Sequence, residues 1–292
     1  MKKILIFGAN GLLGSELSYC LSKKKNFKIF LTVRNSDSVK NFKFFKKSNF
    51  FKNIDVTNNL IVEKLIRKIK PDIVINCIGI IKQNIQNKDL KDIFLVNSFF
   101  PKHLSYLSNK YNFKFIHFST DCVFSGKGKN YNEKNFPDAS DYYGISKFFG
   151  ENLLRKNVVI RTSFIGHNPN SKKSLLEWFL SQNKSIKGYD KSIFSGFTSY
   201  ELANIIYKYF LKKENMNGLF HISSKPISKY ELLSLIKKVY KKKIKIVKDT
   251  KIVINRSLSS KKFKSMTNYK VKSWKSMIKD MYKFRDIKIN KN

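Results

Sequence analysis

Tyr143 and Lys147 stand four residues apart inside the stretch Phe118 to Gly150, FSTDCVFSGKGKNYNEKNFPDASDYYGISKFFG. Pro137, Ser140 and Asp141 supply helix-start signals before them, and Glu151 to Arg155 continue in helix formers, so both side chains are expected on one helical face. On such a face an ammonium beside a phenol favours the ionised form, which is expected to draw the tyrosine pKa down from about 10. A phenol tuned in this way serves as a general acid or base. The same spacing also arises from a tyrosine at a core edge beside a solvated lysine, so the pair takes its meaning from what the rest of the chain places around it.

The chain begins with a short apolar run, Lys3 to Phe7, followed by Gly8-Ala9-Asn10-Gly11-Leu12-Leu13-Gly14 and a helical pattern from Ser15 to Leu21. Strand, glycine turn and helix in that order suit a pyrophosphate, held by backbone amides and the helix dipole. Gly8, Asn10, Gly11, Leu12, Leu13 and Gly14 are therefore candidate cofactor contacts. Lys28 to Val33 is a second strand, and the position beyond it discriminates between dinucleotides. It holds Arg34, with no acid until Asp37, which suits a 2′-phosphate and so NADPH, with NADH admitted as a second possibility. A surface arginine after a strand is the plainer alternative.

Residues 35 to 52 form a Lys/Phe-rich connection with no assignable pattern. Asn53 to Val56 predicts a third strand that brings Asp55 and Val56 to the cofactor side, and a helix follows from about Asn58 to Ile69. Ile73 to Asn76 is uniformly apolar until its last residue, as expected for a parallel strand buried on both faces. It delivers Asn76, Cys77, Ile78 and Gly79 to the carboxyl edge of the sheet, where such folds bind ligands. A helix carrying Asn97, a strand from Phe113 to Phe118 and a strand from Val158 to Arg161 complete the rhythm. Alternation of this kind predicts an α/β fold, a Rossmann-type doubly wound parallel sheet spanning residues 1–162. Beyond Thr162 the rhythm breaks into short pieces. Residues 163–292 are expected to form mainly a smaller C-terminal α+β substrate-binding subdomain, with some segments returning to the Rossmann core and a frayed Lys/Asn-rich end.

The formal charge is +39, from 59 Lys and Arg against 20 Asp and Glu, yet only six of the cations are Arg and the Lys are spread over nearly every segment. Nucleic-acid sites concentrate Arg on one stripe or module, so nucleic acid is not an expected partner. Cys20, Cys77 and Cys122 lack metal-ligand spacing and are odd in number. Neither a metal site nor a disulfide framework is expected, and a reducing cytoplasm fits. No apolar run approaches the roughly 20 residues that span a bilayer, so no membrane partner is expected either.

Six segments carry a resemblance to the extended short-chain dehydrogenase/reductase family, within it the dTDP-4-dehydrorhamnose reductase-like group of nucleotide-sugar reductases. They are GANGLLG at 8–14, PDIVINCIG at 71–79, VNS at 96–98, HFSTDCVFSGKG at 117–128, YYGISKFFGE at 142–151 and IRTSFIG at 160–166. The resemblance implies that Thr120, Tyr143 and Lys147 are catalytic. NADPH would deliver hydride to a ketone while Tyr143 protonates its oxygen, Thr120 hydrogen-bonds that oxygen, and Lys147 also holds the nicotinamide ribose. It implies cofactor roles for the glycine turn, Arg34, Asp55 and Asn76, a nucleotide-sugar substrate, and a role in surface polysaccharide synthesis. Asn97, a further cofactor-site candidate, resembles the family's structural Asn, with a helix-capping or core hydrogen-bond role as its alternatives. A homodimer is compatible with it.

On the substrate side the candidates are Asp121, Cys122, Arg161, Thr198 and Arg256. The two arginines can clamp a diphosphate bidentately or serve as ordinary ion-pair partners, and Thr198 can face the substrate or cap a helix. Cys122 stands where the reductases proper usually have Tyr. This resembles the epimerase-reductases of the GDP-fucose synthase type, which would pair Cys122 with His167 as acid and base; a buried small hydrophobe and a loop histidine are the plainer alternatives. A non-catalytic NADP-binding regulatory subunit on the same fold is a third reading, against which the intact Thr120, Tyr143 and Lys147 argue.

Overall fold

A computed structural model describes residues 1–35, 37, 49–82, 85, 89–151, 157–168, 174–213 and 215–285. Residues 36 and 38–48 of the 35–52 connection, residues 152–155 of the continuation after Glu151, and the end from 286 lie outside the described residues. The strands are β1 (Lys2–Phe7), β2 (Phe27–Thr32), β3 (Asn49–Phe51), β4 (Ile73–Asn76), β5 (Lys114–Thr120), β6 (Val158–Thr162), β7 (Phe164–Ile165), β8 (Ile186–Tyr189), β9 (Ser192–Phe194), β10 (Phe197–Thr198), β11 (Gly218–His221), β12 (Ile227–Ser228), β13 (Ile246–Asp249) and β14 (Ile254–Asn255). Seven of them form one sheet in the order β11-β6-β5-β4-β1-β2-β3, and every pair in it is parallel. Strand order reverses between β1 and β4, the switch point where a doubly wound sheet opens a crevice for ligand.

The helices are α1 (Leu12–Ser22), α2 (Asn59–Ile69), α3 (Leu90–Phe94), α4 (Phe100–Tyr111), α5 (Tyr142–Phe149), α6 (Leu175–Ser181), α7 (Ser199–Ile205), α8 (Lys229–Val239), α9 (Lys261–Thr267) and α10 (Trp274–Lys283). One face of the sheet packs on α2 and α4 through Leu5, Phe7, Val62, Ile66, Leu104 and Phe115. The other face packs on α1 and on the later elements, with Ile4, Ile6, Ile116, Leu202, Phe210, Ile236 and Met277 in one continuous core. Each such side chain contributes roughly 1.5–3 kcal/mol when fully buried, which explains why β4 reads as an unbroken apolar run.

One expectation changes. The third strand is Asn49–Phe51, not Asn53–Val56, because Asn53 takes φ 56° and turns the chain out of the sheet. β11, from the later part of the chain, pairs with β6 and extends the main sheet. The remaining short strands make two- and three-stranded sheets beside it: β10 with β7, β13 with β8, and β12-β9-β14. Among the described residues no helix is long and apolar enough to cross a membrane.

Candidate active site

Helix α5 starts at Tyr142 because the Asp141 carboxylate caps it, accepting from the Gly144 amide at 2.9 Å. Gly144 then lies so close to the Cys122 carbonyl that any Cβ there would overlap it. This contact docks the first turn of α5 on the end of β5 and brings the Tyr143 phenol near the Thr120 hydroxyl. Thr120, the last residue of β5, also accepts from the Cys122 amide at 3.1 Å and so caps the single turn Asp121–Val123.

One turn further along α5, the Lys147 ammonium is buried and donates to the Phe118 carbonyl at 2.6 Å. Burial pulls its pKa down to about 8, opposed by the carboxylate of Glu151 and by Cys77. The expected effect on the phenol does not appear. Burial pushes the Tyr143 pKa up, Cys122 and Asp121 add to the rise, and only the nearby Thr120 hydroxyl works against it. Tyr143 is therefore a neutral phenol at working pH, a proton donor in waiting, and Lys147 serves as a held cation beside it.

What fixes α5 is a π-helical turn, Leu95–Phe99, inserted between α3 and α4. It turns Asn97 and Ser98 together toward α5. Ser98 donates to the Ser146 carbonyl at 2.7 Å, and the Asn97 amide donates to the Ser146 hydroxyl at 3.1 Å. Asn97 also pairs with Ile80, donating to its carbonyl at 3.0 Å and accepting from its amide at 2.8 Å. Asn97 thus braces the loop after β4 against α5, the core hydrogen-bond role among its alternatives.

A buried ion network lies behind Lys147. Glu151 receives two hydrogen bonds from Arg161, at 2.9 and 2.7 Å, and one from Ser119 at 2.6 Å. Arg161 also meets His221 at 3.3 Å and lies over the Phe124 ring. Its guanidinium is spent on joining α5, β6 and β11, so the expected clamp on a diphosphate does not apply to Arg161. Thr198 is buried and caps α7, accepting from the Glu201 amide at 3.4 Å, the second of its two alternatives.

The glycine turn is built as a phosphate cradle. Gly14 packs on the Gly8 carbonyl with no room for a Cβ, which presses α1 against β1. Gly11 is the N-cap of α1 and brings no side-chain hydrogen bond, whereas side chains cap α2, α5, α6, α7, α8 and α10. The first amides of α1, at Leu12 and Leu13, are thus left for an anion. These residues fit a dinucleotide phosphate. Nearby, Asn76 accepts from the Ile78 amide at 2.9 Å and pairs with His117 at 3.2 Å, which sets the strip Cys77-Ile78-Gly79 beside the turn. Gly79 in turn borders both Asn97 and Lys147. Arg34 stands exposed past β2, within electrostatic reach of Asp55, whose carboxyl is held below its usual range first by the Thr57 amide and hydroxyl. Val56 is buried in the core behind Asp55.

Cys122 and His167 do not form an acid–base pair. Burial and Asp121 push the Cys122 thiol up to about 12. Both ring nitrogens of His167 are occupied, by Glu177 at 2.9 Å and by the Tyr240 hydroxyl at 2.7 Å. Asp121 accepts from Ser163 at 2.8 Å. Arg256 does reach the site, donating to the Phe124 carbonyl at 2.7 Å and meeting the Cys122 sulfur at 3.7 Å. Two cations with no local sequence signal join it: Lys82, paired with Asp141 at 2.8 Å, and Lys229, at the start of α8. Among the described residues no cluster of His, Cys, Asp or Glu could hold a metal. A groove of about 1010 Å³, lined by Arg67, Pro71, Asp72 and Tyr111, opens at the amino ends of β4 and β5, away from all of these groups.

The model of the RmlD substrate binding domain matches residues 1–286. The spore coat polysaccharide biosynthesis protein SpsK of Bacillus subtilis is 26% identical over 243 residues, covering 81% of this chain and 78% of that one. The dTDP-4-dehydrorhamnose reductase of Aggregatibacter actinomycetemcomitans is 27% identical over 238 residues, covering 77% and 74%. Among solved structures, the dTDP-4-dehydrorhamnose reductase of Bacillus anthracis in complex with NADP superposes with a TM-score of 0.81 at 20% identity, over 97% of this chain and 99% of that one.

Proposed function

Since the chain belongs to the family of the RmlD substrate binding domain, we propose that it is an NADPH-dependent oxidoreductase that reduces the 4-keto group of a nucleotide-linked 4-keto-6-deoxyhexose, in the synthesis of a surface polysaccharide. The observation that carries this reading is the neutral Tyr143 phenol near the Thr120 hydroxyl, with a buried Lys147 one turn along the same helix and a glycine turn on the same edge of the sheet. NADPH, when bound, supplies the hydride. The remainder is the work of the chain. Hydride addition turns a carbonyl oxygen into an alkoxide, which needs a proton and a fixed donor. Tyr143 gives up its phenolic proton to that oxygen, and the Thr120 hydroxyl holds the oxygen in line. Lys147 steadies the charge left on the phenolate and orients the ribose, while Arg34 receives the 2′-phosphate. The proposed substrate agrees with the dTDP-4-dehydrorhamnose reductase named in Aggregatibacter, and the polysaccharide role with the spore coat polysaccharide protein SpsK.

Stopped-flow oxidation of NADPH with dTDP-, UDP- and GDP-linked 4-keto-6-deoxy sugars tests the assignment. Oxidation with at least one of them is expected, slower with NADH; no oxidation with any of them contradicts it.

The pH dependence follows from Lys147. With a pKa of about 8 it is charged below that value and loses its proton as pH rises through it. Measured in the free enzyme, kcat/KM is expected to be level below pH 8 and to fall above it. A profile that stays level above pH 8 would remove Lys147 from the mechanism as described.

A further inference from the structure

We propose that Lys229 is a substrate-binding residue that meets the diphosphate of the nucleotide-activated sugar, an inference that rests on the cleft beside Tyr143 being a nucleotide-sugar site. Lys229 is the first residue of α8. A cation at that end of a helix opposes the macrodipole, which favours negative charge there. Lys229 is also partly buried, and among the described residues its ammonium makes no hydrogen bond and no ion pair. An ammonium withdrawn from water without a counter-ion is costly. The position is therefore unfavourable to the protein alone on both counts, and an anion brought by a ligand removes both penalties at once.

The surroundings say where that anion sits. Lys229 lies within electrostatic reach of Cys122, Asp121, Arg256 and Lys82. Asp121 takes hydrogen bonds from the neutral hydroxyls of Thr120 and Ser163 and remains one negative group within reach of the two cations Lys229 and Arg256, while Lys82 is paired with Asp141. The Cys122 thiol is neutral, being pushed up to about 12. Lys229 and Arg256 are left as two cations on one side of the catalytic turn, from β12–α8 and from the residue after β14, and both elements belong to the part of the chain that packs against β9. Two positive charges carried by different elements, next to the residues that flank Thr120, match a diphosphate attached to a sugar whose ketone faces Tyr143. The lysine is not loosely placed. Ser228 and Glu231 close a capping box around it, with bonds of 3.1 Å in each direction, so the Lys229 backbone is fixed at the start of α8.

Isothermal titration of dTDP, UDP and GDP into NADP⁺-loaded protein tests this, comparing wild type with Lys229→Met, Lys229→Gln and Lys229→Arg. The diphosphate that wild type binds most tightly is expected to lose roughly ten- to a hundredfold in affinity in the Met and Gln variants, the range of one charge-assisted contact, and to regain most of it with Arg. NADP⁺ affinity is expected to be the same in all four, which also reports that each variant is folded. Diphosphate affinity unchanged in the Met and Gln variants, an equal loss of NADP⁺ and diphosphate, or no diphosphate binding by wild type would each overturn the proposal. If the diphosphate effect is found but no 4-keto sugar is reduced, the proposed reduction fails and the role of Lys229 stands.

Discussion

Replacing Tyr143 by Phe is expected to lower kcat for ketone reduction by about 10²–10⁴-fold, the usual contribution of a positioned general acid. The phenyl ring keeps the packing of α5 on β5, so NADPH binding and thermal stability should be close to wild type. The size of the loss follows from the lack of a substitute. Thr120 is the other hydroxyl at this point, and it donates to Asp121 at 3.3 Å. The Cys122 thiol, two residues on, holds its proton up to about pH 12. Single-turnover measurements with enzyme in excess isolate the chemical step. A Tyr143→Phe enzyme within a few fold of wild type would mean that another group, or water, delivers the proton.

The second large effect concerns stability. Arg161→Met is expected to destabilise the protein by about 3–5 kcal/mol, because it leaves the Glu151 carboxylate buried with only Ser119 as a donor. Both side chains are almost fully buried, 3% and 7% exposed, so water cannot replace the lost partner. Urea unfolding measures the loss directly. Glu151→Leu with Arg161→Met removes both charges, and this double variant is expected to recover much of the loss, since an apolar pair of similar volume spares both desolvation costs. A single variant as stable as wild type would show that the network contributes little.

Much of the site is legible in the residues because its geometry is local. The glycine turn, Thr120 at a strand end, and the four-residue interval from Tyr143 to Lys147 are short-range patterns that a strand or a helix turns directly into proximity. The same holds for helix starts at Asn58 and Asp141, each of which caps its helix. Long-range pairing is not legible. Arg161 looks like a ligand residue because arginine is scarce in this chain, and only the fold reveals Glu151 beside it. Lys229 is one lysine among many, and its significance lies in burial without a partner, which no local pattern encodes. The third strand is displaced for a related reason. Asn53-Ile54-Asp55-Val56 alternates like a strand, but the sheet takes Phe50 and Phe51 from the Lys/Phe-rich run, opposite Leu31 and Thr32. The Tyr143 pKa moves opposite to expectation because the four-residue interval says which groups are neighbours and nothing of how deeply they lie.

The π-helical turn at Leu95–Phe99 bears on which length changes the chain can accept. Such a turn is an α-helix with one residue too many, and each α-helical residue advances the chain by roughly 100°. Deleting a single residue between Phe94 and Phe100 would make the helix regular and easier to form, yet it would swing either Asn97 and Ser98 or the Phe100–Leu104 core face out of line. The irregularity is therefore a ratchet for descent: point changes around it are open, whereas the one-residue shortening that would mend the helix separates the brace on Ser146 from the core that supports it.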